Sequence, residues 1–153
     1  MAVRLLAPDR PLSVGVIGAG AQARYQLRAI SQVREIKELR AWSPIPEEVA
    51  AYAEEVASTL GVPVSGASRP KEAVEGADLV VTVTPSREPL LELGWLAKGA
   101  TVVAVGADGP GKQELAAGIL GASSPRKTPT RSWGRFSSEC ARAGRATSSL
   151  FVI

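Results

Sequence analysis

The chain alternates short apolar runs with longer segments in which apolar residues recur at helical spacing. Ser13-Val14-Gly15-Val16-Ile17 is a compact apolar run ending on glycines, the pattern of a buried parallel strand. Ala21 to about Val33 carries Ala23, Leu27 and Ile30 along one side, which predicts a helix. Leu39-Arg40-Ala41-Trp42 predicts a second strand. Pro44 and Pro46 break the chain, and Glu47 and Glu48 favour the start of a helix. That helix presents Val49, Tyr52, Ala53 and Val56 on one face and stops at Gly61. Val62-Pro63-Val64 predicts a short strand at a sheet edge, because proline cannot donate to a ladder.

Pro70 to Val74 reads as a brief helix closed by Gly76. Asp78 to Thr84 is β-branched at five of seven positions, the strongest strand signal in the chain. Ala100 to Gly106 predicts another buried strand, and Gln113 to Leu120 a last helix. Between them, Leu90, Leu91, Leu93, Trp95 and Leu96 are too apolar for a solvated loop. Strands separated by helices imply right-handed βαβ units, hence an α/β fold with a parallel sheet covered on both faces. Residues 121–153 mix Ser, Thr, Arg, Pro and Gly with no period. Such a segment cannot offset its conformational entropy by burial, so an irregular, disordered tail is expected.

Composition narrows the chemistry. At 153 residues the chain suits one domain, and 45% apolar residues exclude a disordered one. The absence of histidine excludes Ser-His-Asp and Cys-His catalysis and histidine-ligated metal, and no metal site is expected. A single cysteine, Cys140, excludes an internal disulfide and suits a reducing compartment. No run is long enough for a membrane span, and MAVRLLAPDRP lacks the apolar core of a signal peptide, so a cytoplasmic location is expected. The net charge of +3 is uneven: residues 1–114 hold 12 basic and 14 acidic side chains, residues 115–153 six and one. A neutral body with a basic tail is not a basic face, so no nucleic-acid partner is expected.

Four stretches carry candidate chemistry. Gly18-x-Gly20-x-x-Ala23 follows a strand and opens a helix. There Gly18 permits the tight turn, Gly20 lets a pyrophosphate approach, and small Ala23 lets helix and strand pack closely. A dinucleotide partner follows, its phosphates on the helix N-terminus. At the end of the second strand, where NAD enzymes carry an acid, stands Trp42-Ser43-Pro44. The missing carboxylate tilts the expectation mildly toward NADP over NAD, with Arg24 or Arg40 to hold a 2′-phosphate. Thr82 and Thr84, with Ser86 beyond, end a strand on the ligand side of the sheet, where their hydroxyls either reach the ribose or nicotinamide or simply suit a strand and turn. Asp108 lies in Val105-Gly106-Ala107-Asp108-Gly109-Pro110-Gly111-Lys112. It is either a desolvated carboxylate suited to proton exchange or a turn-forming Asp-Gly, and Lys112 can hold a phosphate or pair with it.

Taken together these motifs resemble the ornithine cyclodeaminase/mu-crystallin family. The matching residues are Val16 to Ala23, Ala77 to Thr82, Ser86 to Pro89, and Val105 to Leu115. The resemblance runs from about Leu5 to about Leu120 and implies a Rossmann-like NAD(P) domain over 13–120. Ala21 and Gln22 would then lie on the pyrophosphate and Ser43 at the adenosine ribose. Thr82 and the stretch Val105, Gly106, Ala107 would line the cofactor, with Lys112 nearby. Asp108 would be the acid/base group acting on the substrate's amino group. The implied reaction is hydride transfer at an amino acid α-carbon, as in conversion of ornithine to proline with loss of ammonia, or the ketimine reductase and alanine dehydrogenase variants. The alternative is a remnant that binds dinucleotide without turnover. Family members are roughly twice as long, with a preceding region that grips a small amino acid substrate and dimerises. Residues 1–12 read as the end of its connecting helix, so a domain truncated at both ends is expected, self-associating through the uncovered surface.

Overall fold

The computed structural model describes residues 2–107, 109–122 and 149–152. The elements run α1 (Ala2–Leu6), β1 (Leu12–Ile17), α2 (Ala21–Ser31), β2 (Ile36–Trp42), α3 (Pro46–Leu60), β3 (Val64–Gly66), α4 (Pro70–Val74), β4 (Leu79–Thr82), β5 (Thr101–Ala104), α5 (Ala117–Ala122) and β6 (Ser149–Val152). A 3-10 turn, Leu93–Trp95, lies between β4 and β5. The sheet order is β3-β2-β1-β4-β5-β6, with the first five strands parallel and β6 antiparallel to β5. The expected α/β, Rossmann-like, doubly wound sheet is what the chain forms.

Alternation along the strands divides the core between two faces. Val14 and Val16 of β1, Leu39 and Ala41 of β2, and Leu79 and Val81 of β4 pack with Leu27 and Ile30 of α2 and Tyr52 and Val56 of α3. Ile17, Val80, Val102 and Ala104 look the other way, onto Ala73 and Val74 of α4, Leu91, Leu115 and Ile119. The apolar connection after β4 joins this second face, Leu91 being fully buried. Val3 and Ala7 bring α1 onto the first face, where the Arg34 guanidinium donates to the carbonyls of Arg4 (2.6 Å) and Pro8 (3.1 Å).

β2 starts at Ile36 rather than Leu39, and three other elements depart further from the sequence reading. The short third strand is displaced to Val64–Gly66, because Pro63 has no N–H and offers only its carbonyl, which accepts from Leu39 N at 3.1 Å. The last helix starts at Ala117 rather than Gln113, since Leu115 bridges Leu91 in parallel and Ala116 N donates to Leu91 O at 2.9 Å. Ser149–Val152 is a strand within the segment expected to be irregular, its Leu150-Phe151-Val152 pairing along β5. The remainder of that expectation, residues 123–148 and 153, lies outside the described residues. Among the described residues no helix is long and apolar enough to cross a membrane.

At the amino ends of the central strands, Asp78 accepts from Arg10 at 2.6 and 2.9 Å, and from the Ser13 amide and hydroxyl at 3.0 Å each. Burial alone would raise this carboxyl, but the Arg10 and Ser13 hydrogen bonds outweigh it and hold it below the ordinary carboxylate value. A depressed folded-state value stabilises the native chain above the unfolded pKa, about 3.9, and the contribution is lost as pH falls through the folded value. Arg10 is more than half exposed, which screens the pair. Asp78→Asn is therefore expected to cost about 1 kcal/mol at pH 7 and to flatten the loss of stability below about pH 4. Urea titrations at pH 7 and pH 3 measure both; an unchanged acid limb would exclude Asp78 as its source.

Candidate functional site

The strand order reverses between β1 and β4, so the carboxyl ends of these two strands open a crevice at a topological switch point. Ile17 and Thr82 are register partners there, and Thr82 is paired in turn with Ala104 of β5. The backbone closes the floor of the crevice: Val83 N donates to Ile17 O and Val105 N to Thr82 O, both at 2.9 Å.

Gly18 turns the chain out of β1 at φ +103°, a conformation that side chains rarely adopt. A Cβ here would also lie 2.7 Å from Val83 O. Gly20 is different. Its backbone is extended (φ −76°, ψ −169°), and a Cβ would meet nothing within 4 Å. It therefore borders open space at the start of α2, whose first turn receives no side-chain cap from it. Ala23 is buried against the sheet, as helix–strand packing requires, while Ala21 is exposed. Ala21 also lines a shallow cleft of about 260 Å³ with Arg24, Tyr25, Arg28 and Glu55. Gln22 stands in the same first turn, exposed.

Ser43 follows β2 and is buried. Its hydroxyl donates to Glu48 Oε2 at 2.9 Å and accepts from Ile45 N at 3.3 Å. The two arginines considered for a 2′-phosphate are engaged elsewhere. Arg24 pairs with Glu55, donates to Ala19 O at 2.8 Å and stands 5.6 Å over the Tyr52 ring. Arg40 donates to the carbonyls of Glu72 (3.2 Å) and Glu75 (2.6 Å) at the end of α4.

At the β4 and β5 ends the organising group is a residue to which sequence reasoning gave no role of its own. Glu114 is 1% exposed and accepts four hydrogen bonds. Oε2 takes the Thr82 hydroxyl (2.9 Å) and Gly106 N (2.8 Å). Oε1 takes Thr84 N (2.6 Å) and the Thr84 hydroxyl (2.9 Å). The Thr82 and Thr84 hydroxyl protons thus point at Glu114; Thr82 is fully buried, and Thr84, 6% exposed, can offer a ligand only its oxygen lone pairs. Gly106 is obligatory for a different reason from Gly18: a Cβ there would overlap the Thr84 backbone and crowd Glu114 Oε1. The sequence signal for Glu114 is its place in the Val105–Leu115 stretch that carries the family resemblance, directly before Leu115.

Glu114 is held in turn by its own backbone, whose carbonyl accepts from Leu90 N (2.8 Å) and Leu91 N (3.1 Å). Gln113 N donates to Ser86 O at 2.8 Å, closing the same loop pair. Val105, Gly106 and Ala107 leave β5 half-buried at the mouth of the crevice, and Lys112, also half-buried, begins the return. Asp108 lies outside the described residues.

A doubly wound parallel sheet with a glycine turn at its switch point is the architecture of a dinucleotide-binding domain. The chain belongs to the ornithine cyclodeaminase/mu-crystallin family, whose model matches residues 1–126. Mouse ketimine reductase mu-crystallin is 37% identical over 115 residues, covering 75% of this chain and 36% of the relative. An archaeal alanine dehydrogenase dimer with bound NAD superposes with TM-score 0.74 at 35% identity, over 80% of this chain and 38% of the other. Iminosuccinate reductase of Paracoccus denitrificans in complex with NAD+ gives TM-score 0.73 at 30% identity, over 80% and 37%. The chain thus spans well under half the length of the relatives it matches.

Proposed function

We propose that this chain is the NAD(P)-binding domain of an oxidoreductase or deaminase acting on an amino acid or a cyclic imine. The observation that carries the reading is the turn after β1, where Gly18 makes the bend and Gly20 leaves open space over an uncapped helix start. The described residues fit a dinucleotide there, since a pyrophosphate needs free N–H groups and no Cβ in its way. In this reading Gly18, Gly20, Ala21, Gln22 and Ala23 form the phosphate turn, and Ser43 stands at the adenosine ribose. Thr84, Val105, Gly106 and Ala107 line the nicotinamide end, with Thr82 buried beneath them and Lys112 beside it.

The dinucleotide, when bound, supplies hydride exchange with the substrate's α-carbon. Asp108 follows Ala107 in the chain and is the proposed acid/base group, taking or returning a proton at the substrate's amino group. The bound NAD and NAD+ of the two superposed relatives support the cofactor, and the three relatives' names support an amino acid or imine substrate. Ornithine conversion to proline with release of ammonia is one reaction of this class.

The test is a titration of the purified chain with NADH and NADPH, followed by nicotinamide fluorescence. Saturable binding of either is expected; binding of neither overturns the proposal. Asp108→Asn is expected to leave that affinity within about twofold while abolishing turnover wherever the polypeptide containing this domain catalyses. Equal loss of binding would make Asp108 a structural residue instead.

A further inference from the structure

We infer that Glu48 selects the dinucleotide, favouring NAD(H) and rejecting NADP(H); the inference rests on the dinucleotide reading above. The strand end where a ribose-reading acid is expected carries Ser43 instead. The fold returns a carboxylate to that place from the next element. Pro44 and Pro46 bracket a tight passage from β2 into α3, and Glu48 occupies the first turn of that helix. Its Oε2 is fixed at 2.9 Å from the Ser43 hydroxyl, and that hydroxyl is itself fixed by Ile45 N. Glu48 is exposed, so its second carboxylate oxygen can accept a further hydrogen bond.

Charge points the same way. Glu47 adjoins Glu48, giving the first turn of α3 two acids. Among the described residues Glu48 forms no ion pair. Arg24 and Arg40, the cations that a 2′-phosphate would need, are turned to Glu55 and to the carbonyls ending α4. A diol can donate to Glu48, whereas a 2′-phosphate would face like charge, with Arg24 and Arg40 already engaged. This reverses the mild NADP preference drawn from the absence of an acid at position 43.

The experiment titrates the full chain and Glu48→Gln with NADH and NADPH, with thermal melts alongside. The parent is expected to bind NADH at least about tenfold more tightly than NADPH. Glu48→Gln is expected to shrink that ratio to about threefold or less at an unchanged melting temperature. Ser43→Ala, which keeps the charge but releases it, is expected to fall between, and decides the matter should Glu48→Gln fail to fold. A parent that binds NADPH as well as NADH, or a ratio that Glu48→Gln leaves unchanged, overturns the inference and leaves the dinucleotide reading standing. Binding of neither nucleotide removes both.

Discussion

Glu114→Gln is expected to destabilise the chain by about 2–4 kcal/mol, and Glu114→Ala by about 3–5 kcal/mol. All four partners of the side chain are donors, two of them backbone N–H groups that cannot turn away: Thr84 N and Gly106 N. An amide in place of the carboxylate must aim its own NH2 at one of these pairs, leaving a buried N–H facing another. Alanine leaves all four donors without an acceptor in a site closed to solvent. For a domain of this size the loss corresponds to a drop of roughly 5–15 °C in melting temperature.

The loss should also reach the crevice. Glu114 ties the end of β4 to the end of β5, so releasing it frees Thr84 and Gly106 together. Dinucleotide affinity is therefore expected to fall in any Glu114→Gln protein that still folds at low temperature. Melting curves and NADH titrations at 10 °C measure the two effects separately. A shift below about 2 °C would show that the four bonds contribute little net free energy.

The contrast between Glu114 and the glycine turn explains what could be read from the sequence. Strands β1, β4 and β5 announce themselves because parallel strands buried on both faces are continuous apolar runs. β2 was found only from Leu39, since Lys37 and Glu38 at its start are exposed and carry no apolar signal. Gly18 was legible because its requirement is local: a positive φ within three residues of a strand end. Glu114 was not, because its partners lie 8 to 32 residues away and only the tertiary fold assembles them. The same distance problem hid where Arg24 and Arg40 point. Glu48 was read as a helix-start acid, which it is, but its contact with Ser43 depends on the turn set by Pro44 and Pro46. Local backbone chemistry is written in the residue type, whereas a polar side chain's partner is chosen by the fold.

Gly20→Val should abolish NADH binding, raising Kd by at least about 100-fold, while lowering the melting temperature by no more than about 5 °C. The two glycines of the turn make opposite predictions because they are glycines for opposite reasons. Gly18 cannot accept a Cβ: its φ is +103° and the added carbon would press on Val83 O. Substitution there costs stability and binding together, so it cannot distinguish a structural turn from a ligand site. Gly20 has an ordinary extended backbone and open space where the side chain would go. Gly20 is the N-cap of α2, where glycine is favoured over valine, so a modest loss of stability is expected; an added Cβ itself meets nothing within 4 Å, and a β-branched side chain suits extended backbone. Its side chain would obstruct a group that enters from outside to reach the N–H groups of α2. A stable Gly20→Val that still binds NADH with parent affinity would therefore mean that the phosphates do not lie on this turn, and the proposed site would have to be abandoned.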